Sequence, residues 1–268
     1  MKKLFLVLLL LVITNVTFAV EALTIGCTYR CDSFYKRALR KAAANQNVKI
    51  KILDLSSNPE IKLSDVDGIL LPGGADINPE YYFPAIEPSL VEYTKTLDKY
   101  VNYTSEGKKR DPFEFNLLKK YFSDVELENL PILGVCRGMQ MLAVSQGVPL
   151  YVDIKQEFSI RNRRYLFDRV HIESKESIMN ELFGRSFLAF KRHHQGMRVW
   201  YFNKYKSRWP NLEITSYSNN GIVAESLEFN DRPVLGVQFH PENDFGYERK
   251  SIFGWLIKKA IERRIKAQ

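Results

Sequence analysis

Short apolar runs alternate along this chain with segments whose apolar residues recur at helical spacing. Runs of strand length occupy residues 23–26, 48–55, 66–71 and 132–135. Strands that alternate with helices in this way predict an α/β fold, with a doubly wound, mostly parallel sheet flanked by helices. The third run is almost wholly apolar despite Asp67, as expected for a strand buried on both faces.

Capping residues and breaks in the pattern indicate where helices begin. Asp32 or Ser33 can cap a first helix, whose inner face then carries an apolar set. That set is Phe34, Ala38, Leu39 and Ala42. Asp111-Pro112 predicts the start of a later helix with proline at its first position. Before it, residues 78–110 show no clear period, and segment 81–88 is interpreted as an irregular loop that covers a site.

The C-terminal half predicts a small antiparallel addition to the sheet. Residues 212–217 and 222–229 have strand character and are separated by Asn219-Asn220-Gly221, a favourable turn sequence. A last helix is predicted over about residues 247–267. We find no internal repeat or linker, so a single domain is expected over residues 20–268.

Residues 1–19 have the features of a secretory signal peptide. Lys2 and Lys3 precede an apolar core over residues 4–13, and Thr17-Phe18-Ala19 supplies small residues before the predicted cleavage site. The core is shorter than the roughly 20 residues of a membrane-spanning helix. We therefore expect an exported protein, periplasmic or secreted, with no membrane association after cleavage.

Composition and charge exclude some classes of binding partner. The chain has 268 residues and a formal net charge of +8, but its basic residues are scattered and accompany no nucleic-acid motif. No nucleic-acid partner, metal or cofactor is expected, and a homodimer is compatible with the sequence. Three cysteines leave one unpaired. Cys27 and Cys31 lie close enough in sequence to form a small disulfide in an oxidising compartment, which leaves Cys136 free.

Cys136 lies between Gly134 and Gly138, after the apolar run 132–135 and before a segment over 139–145 that favours helix. This order is that of a strand–nucleophile–helix turn, with sulfur in place of oxygen. The glycines prevent crowding at a sharp turn, and a helix N-terminus favours the thiolate. The alternative is a buried structural cysteine, a common role for this residue type.

Two further patterns end predicted strands. Val234–Glu242 brings a buried run to His240, and Glu242 can turn back to accept from the imidazole and fix its tautomer for work on a thiol. Pro72-Gly73-Gly74 follows the third strand, where open α/β sheets bind ligands, and its bare backbone can present N–H groups. A solvent-facing histidine and an ordinary tight turn are the alternatives.

Together these patterns resemble a known superfamily. The matching segments are residues 71–79, 111–114, 132–140, 193–195 and 236–242. They resemble class I (triad-type) glutamine amidotransferases, and most closely the γ-glutamyl hydrolases of peptidase family C26, including γ-glutamyl-γ-aminobutyrate hydrolases. The resemblance implies a flavodoxin-like fold and a catalytic triad: Cys136 as nucleophile, His240 as base and then acid, and Glu242 to orient His240.

The resemblance also implies the surroundings of the triad. Backbone N–H groups of Arg137 and of Gly73 or Gly74 would form an oxyanion hole. The substrate pocket would carry His193, His194, Gln195 and Gln140. His171 lies near a histidine that recurs in the subfamily, and exposure at the surface is an equal alternative.

The expected function is thiol hydrolysis of γ-glutamyl amide bonds, through a γ-glutamyl thioester, on a small γ-glutamyl substrate. A first alternative is a glutaminase subunit that supplies ammonia to a separate synthetase. Export disfavours it, because nucleotide-consuming partners are expected inside the cell. A second alternative is a non-catalytic binding or stress protein on the same fold, since fold alone does not fix function.

Overall fold

The computed structural model describes residues 22–159, 166–243 and 247–267. The predicted signal peptide lies outside the described residues. Within them, none of the helices combines the length and the apolar character needed to cross a membrane.

Strands and helices alternate along the first half of the chain. The elements there are β1 (Leu23–Cys27), α1 (Ser33–Ala44), β2 (Ile50–Asp54), β3 (Gly68–Leu71), α2 (Pro88–Lys95), α3 (Ser105–Ser123), β4 (Ile132–Val135) and α4 (Arg137–Ser145). The second half carries β5 (Leu150–Tyr151), α5 (Ile154–Phe158), β6 (Leu166–Ile172), α6 (Ile178–Phe183), β7 (Ser186–Lys191), β8 (Gly196–Met197), α7 (Val199–Lys204), β9 (Leu212–Ser218), β10 (Val223–Phe229), β11 (Val234–Val237) and α8 (Tyr247–Lys266).

One nine-stranded sheet organises the molecule, in the order β2-β1-β3-β4-β11-β10-β9-β6-β7. The strands from β2 to β11 run parallel, and the four beyond them pair antiparallel. Strands β5 and β8 form a separate antiparallel pair. The predicted α/β class with an antiparallel addition is confirmed. The register places β4 between β3 and β11, with Gly134 opposite both Leu71 and Gly236.

Helices cover both faces of the parallel strands. Neighbouring strand residues point to opposite faces, so Ile69 and Ile132 pack with α3 and α4, whereas Leu70 and Leu133 pack with α1 and α8. The strands are therefore apolar on both sides, as the sequence predicts. Burial of both faces leaves the carboxyl ends of β3, β4 and β11 as the accessible edge of the sheet centre.

Helix α3 begins at Ser105, so the predicted start at Asp111-Pro112 is wrong. Thr104 caps the helix by accepting from the Gly107 N–H, and Pro112 lies within it. Proline removes one helical hydrogen bond. Ion pairs four residues apart span the break, because Arg110 binds both Glu106 and Glu114.

Helix α1 turns a different residue inward than predicted. Asp32 caps it as expected, accepting from the N–H groups of Phe34 and Tyr35. Phe34 is 41% exposed, however, and Tyr35 is 4% exposed. Tyr35 shares its face with Ala38 and Leu39 because residues three and four apart lie on one side of a helix.

Several local predictions are confirmed. Cys27 and Cys31 form a disulfide, and Cys136 is the free cysteine. The β9–β10 hairpin turns through Asn219-Asn220-Gly221, all with positive φ. The segment 78–110 is less irregular than predicted, since it contains α2.

Candidate active site

Cys136 occupies a strained turn between β4 and α4. Its φ of 53° and ψ of −107° are rare for a residue with a side chain. The Cys136 N–H donates to the Val237 carbonyl at 2.7 Å, which fixes the turn to the neighbouring strand. A Cβ at Gly138 would collide with the Leu71 carbonyl, and one at Gly134 would lie 2.7 Å from the Gly138 backbone. The predicted need for both glycines therefore has a steric cause.

His240 and Glu242 lie beside this turn, after β11. The Nδ1 atom of His240 is 2.6 Å from Oε1 of Glu242, and both residues are buried. Burial alone would lower the pKa of His240, but the negative charges of Cys136 and Glu242 and the hydrogen bond to Glu242 raise it well above its usual value. The three predicted triad residues are thus brought together, in an arrangement that favours the protonated form of His240.

The Pro72-Gly73-Gly74 loop closes over the same place. A Cβ at Gly73 would lie 3.1 Å from Cε1 of His240 and 3.6 Å from Cβ of Cys136. Arg110 holds the loop by donating to the carbonyls of Pro72 and Gly73, each at 2.9 Å. The Gly73 N–H already donates to the Tyr35 hydroxyl at 2.9 Å. Because the Gly73 N–H is engaged in this way, the Gly74 N–H is the better candidate of the two predicted glycine donors to an oxyanion.

A small polar cavity of about 120 Å³ lies on one side of Cys136. All four residues predicted to bind substrate line it. They are Gln140, His193, His194 and Gln195.

Two of these side chains are fixed and neutral. Nδ1 of His193 is 2.9 Å from the Gln195 carbonyl, and burial, helped by the charge of Lys191, lowers the pKa of His193 to about 3. Gln140 donates to the same carbonyl at 3.0 Å.

Within the described part of the chain, Nε2 of Gln195 is buried without a hydrogen-bond acceptor, while its Oε1 accepts from Ile77. Gln195 is therefore equipped to donate to a bound ligand.

His194 has a different environment. It lies between two carboxylates, with Nε2 at 2.8 Å from Asp76 and Nδ1 at 3.2 Å from Asp153. Burial would lower its pKa, but these hydrogen bonds and charges raise it. His194 thus ties the cavity wall to two loops as well as lining it.

A larger cavity of about 770 Å³ also borders the sulfur. Its lining contains Cys136, His240, Glu242 and the Gly73-Gly74 segment, together with aromatic and basic side chains. Those are Tyr29, Arg30, Phe34, Tyr35, Lys109, Arg110 and Arg192. Cys136, Gly74 and Arg192 line both cavities, so each cavity borders the sulfur.

Sequence reasoning missed the groups behind the turn. The Arg137 side chain points inward and forms buried ion pairs with Asp111 and Glu114 on α3. These acids lie in a matching segment and three residues apart, a spacing that places them on one helix face. Tyr35 was also missed, although its spacing to Ala38 and Leu39 marks it as inward. His171 is exposed on β6 and belongs to neither cavity.

A bound metal ion needs several ligating side chains close together. Across residues 22–159, 166–243 and 247–267, no group of three or more His, Cys, Asp or Glu is arranged to hold a metal ion.

Fold and geometry together define a class I glutamine amidotransferase-like protein. The sequence profile of the peptidase C26 family matches residues 26–242, which span every residue of the site. The chain belongs to the peptidase C26 family.

Known proteins support this placement. Protein NtpR of Enterococcus hirae is 30% identical over 67% of this chain and 68% of its own length. The glutamine amidotransferase-like protein RP404 of Rickettsia prowazekii is 38% identical over 72% of this chain and 76% of its own. The glutaminase domain of Trypanosoma brucei CTPS, solved with acivicin, has a TM-score of 0.64 at 16% identity, covering 90% of this chain and 94% of that one. At that identity the likeness shows the fold alone.

Proposed function

We propose that this protein hydrolyses γ-glutamyl amide bonds with Cys136 as nucleophile, His240 as base and then acid, and Glu242 as the group that orients His240. The support is that buried His240 contacts Glu242 and lies with Cys136 around the Gly73 backbone, beside a polar cavity that carries Gln140, His193 and Gln195. His240 can take the proton of the Cys136 thiol before the first step and keep it for the leaving amine.

The proposed reaction has two halves. The Cys136 thiolate attacks the γ-carbonyl, and the N–H groups of Gly74 and Arg137 receive the developing oxyanion, each worth roughly 3 kcal/mol. His240 then protonates the amine as the C–N bond breaks, which leaves a γ-glutamyl thioester. Water, deprotonated by His240, attacks this thioester, and glutamate and the thiolate are released.

The observation that carries hydrolysis of substituted amides is that Cys136 lines two unequal cavities. The small one has the size and the polar groups for a glutamyl unit. The large one accommodates a leaving group much bigger than ammonia. A glutaminase does not need that volume beside its nucleophile.

The test is glutamate release from a panel of γ-glutamyl amino acids, γ-glutamyl amines and L-glutamine. We expect Cys136→Ala and His240→Asn to abolish release, because they remove the nucleophile and the proton carrier. His171→Asn is the matched histidine control, and it should retain full activity since His171 is exposed and outside both cavities. Turnover by Cys136→Ala at the unmodified rate would end the proposal.

A glutaminase that serves a separate synthetase remains a second candidate. It is favoured by the relatives named as glutamine amidotransferase-like and by a glutamine-hydrolysing GMP synthase component of Pyrococcus abyssi, which is 29% identical over 46% of this chain and 57% of its own length. The same panel separates the two. Preference for L-glutamine over every substituted amide would favour the glutaminase, whereas the hydrolase should prefer substituted amides.

A further inference from the structure

Tyr35 lies at the centre of the site, between the loop after β3 and the triad. We propose that its hydroxyl is a positioning group that fixes the Glu242 carboxylate, and through it His240, against the Gly73 backbone. This inference rests on the proposed function, but part of its test needs no substrate.

The hydroxyl contacts two parts of the active site at once. It accepts from the Gly73 N–H at 2.9 Å, so its own proton is directed to another acceptor. The Glu242 carboxylate lines the same cavity as Tyr35 and Gly73, and its negative charge acts on the hydroxyl, so it is the acceptor assigned to that proton. Oε1 of Glu242 accepts from His240 and Asn243. A phenylalanine would fill the same space and make neither hydrogen bond.

The surroundings keep the hydroxyl protonated and in place. Burial first, and then the negative charges of Glu242 and Cys136, raise the pKa of Tyr35 well above its usual value. Tyr35 is therefore a donor at every pH at which the protein works. Its ring packs edge-on against Phe253 of α8, with centroids 6.3 Å apart, and the Asp32 cap fixes the turn of α1 that carries it.

This placement has a consequence for the thiol. Glu242 stabilises the protonated His240, and the protonated His240 stabilises the Cys136 thiolate. Loss of the Tyr35 hydroxyl removes one hydrogen-bond donor to the Glu242 carboxylate. The carboxylate is then less fixed in orientation and stabilises the protonated His240 less. Small displacements of catalytic groups reduce rates by up to about 10²-fold.

The test compares Tyr35→Phe with Tyr121→Phe. Tyr121 is a buried residue of α3 that lies outside both cavities. Its hydroxyl donates to the Leu130 carbonyl. Both variants lose one buried hydroxyl, but only the first loses it at the triad. We expect Tyr35→Phe to lower kcat by roughly 10–100-fold with little change in KM, and Tyr121→Phe to change neither.

The second measurement is the rate of Cys136 alkylation by iodoacetamide as a function of pH, without reductant. Cys136 is the free cysteine, so the reagent reports on it alone. In Tyr35→Phe the rise in rate should move to higher pH, and in Tyr121→Phe it should not. In a Glu242→Gln background, the Tyr35 change should add no further shift if it acts through Glu242.

The outcomes separate this inference from the proposed function. An unshifted alkylation profile in folded Tyr35→Phe, or an equal shift in Tyr121→Phe, would overturn the role of Tyr35. A full extra shift in the Glu242→Gln background would overturn the route through Glu242. If no γ-glutamyl amide is hydrolysed, the proposed function fails while the alkylation result still decides the role of Tyr35.

Discussion

At the scale of single residues, the site depends on positions where one side chain alone fits. Cys136 adopts a positive φ that L residues avoid, and the glycines two residues away allow strand and helix to approach it. The strained conformation of Cys136 is thus maintained by contacts with its neighbours, since the residue itself does not favour it.

Gly138→Ala should therefore damage both stability and reactivity. Its Cβ would meet the Leu71 backbone, which cannot move away as a side chain can, and overpacking of this kind costs about 1–3 kcal/mol. Gly254→Ala on α8 is the matched control, because its Cβ meets nothing closer than 3.9 Å. That change should raise the free energy of unfolding by roughly 0.5–1 kcal/mol, measured by urea denaturation. Equal effects of the two substitutions would refute the steric explanation.

His193 should make stability depend on pH. Burial, with a contribution from the charges of Lys191 and His240, holds its folded pKa at about 3, against an ordinary value of 6.5. The unfolded chain therefore binds more protons between these values, and the free energy of unfolding falls as pH falls from 6.5.

The slope that His193 contributes approaches 1.4 kcal/mol per pH unit. His193→Asn should flatten the curve of unfolding free energy between about pH 5 and 6.5. His171→Asn, which alters an exposed histidine, should leave the slope as it is. The prediction fails if the His193→Asn and unmodified curves stay parallel.

The sequence predicts the site residues that belong to a recognisable local motif. Cys136, His240 and Glu242 each follow an apolar strand, so both their identity and their place at a strand end can be read directly. Tyr35 cannot be found this way, since its role depends on Gly73 and Glu242, which are distant along the chain. The same limit applies to Gly73, whose N–H is engaged by a hydroxyl from another element.

At the scale of elements, α3 carries the acids that hold the turn from behind. Glu114 is fully buried and accepts from Arg110, Arg137 and Thr28. Burial raises the pKa of a carboxyl group, but the two guanidinium groups outweigh that effect and lower the pKa of Glu114. The helix therefore fixes both the Gly73 loop, through Arg110, and the turn at Cys136, through Arg137.

Glu114→Gln should destabilise the protein strongly. The change leaves two buried guanidinium groups without their shared carboxylate, and losing one partner of such a group costs about 3–5 kcal/mol. Glu92→Gln is the control, because the Glu92–Lys95 pair is largely exposed and is worth well under about 1 kcal/mol. Urea midpoints of both variants provide the measurement. A loss of similar size in the two would contradict the structural role of the buried network.

The predicted start of α3 is wrong because side-chain contacts outweigh the local signal of a proline. Pro112 favours a helix start locally, but the ion pairs of Arg110 extend the helix backward to Ser105 across it. Residues 155–192, which contain β6 and β7, give little periodic signal because many of their side chains are polar, basic or partly exposed. By contrast, the β9–β10 hairpin has its turn chemistry written at Asn219-Asn220-Gly221 and was predicted correctly.

At the scale of the whole molecule, strand order assembles the site. Strand β4 lies between β3 and β11, although β11 follows it by about a hundred residues. The three loops that leave their carboxyl ends therefore converge, as expected for an open parallel sheet. The motifs predict that each loop matters, and the resemblance to a family predicts that they meet. Spacing along the chain alone predicts neither the order of strands nor the two cavities that the order creates.

Those cavities predict an asymmetric substrate tolerance. The space on the side of Gln140 and Gln195 is about 120 Å³ and bounded by fixed polar groups, whereas the space beyond His240 is about 770 Å³. A ligand that leaves buried polar groups of a site unpaired is rejected strongly. Added bulk in an open cavity is rejected much less. Changes to the glutamyl part should therefore lower kcat/KM much more than changes to the amine.

Two matched series measure this difference. One keeps the γ-glutamyl group and lengthens the amine from methylamine to a dipeptide, and kcat/KM should vary modestly. The other keeps the amine and replaces the γ-glutamyl group by its N-acetyl or one-carbon-shorter analogue, and kcat/KM should fall by about 10² or more because the polar groups around Gln195 lose their partners. A steeper dependence on the amine would place the glutamyl unit in the larger cavity and reverse the proposed orientation of the substrate across Cys136.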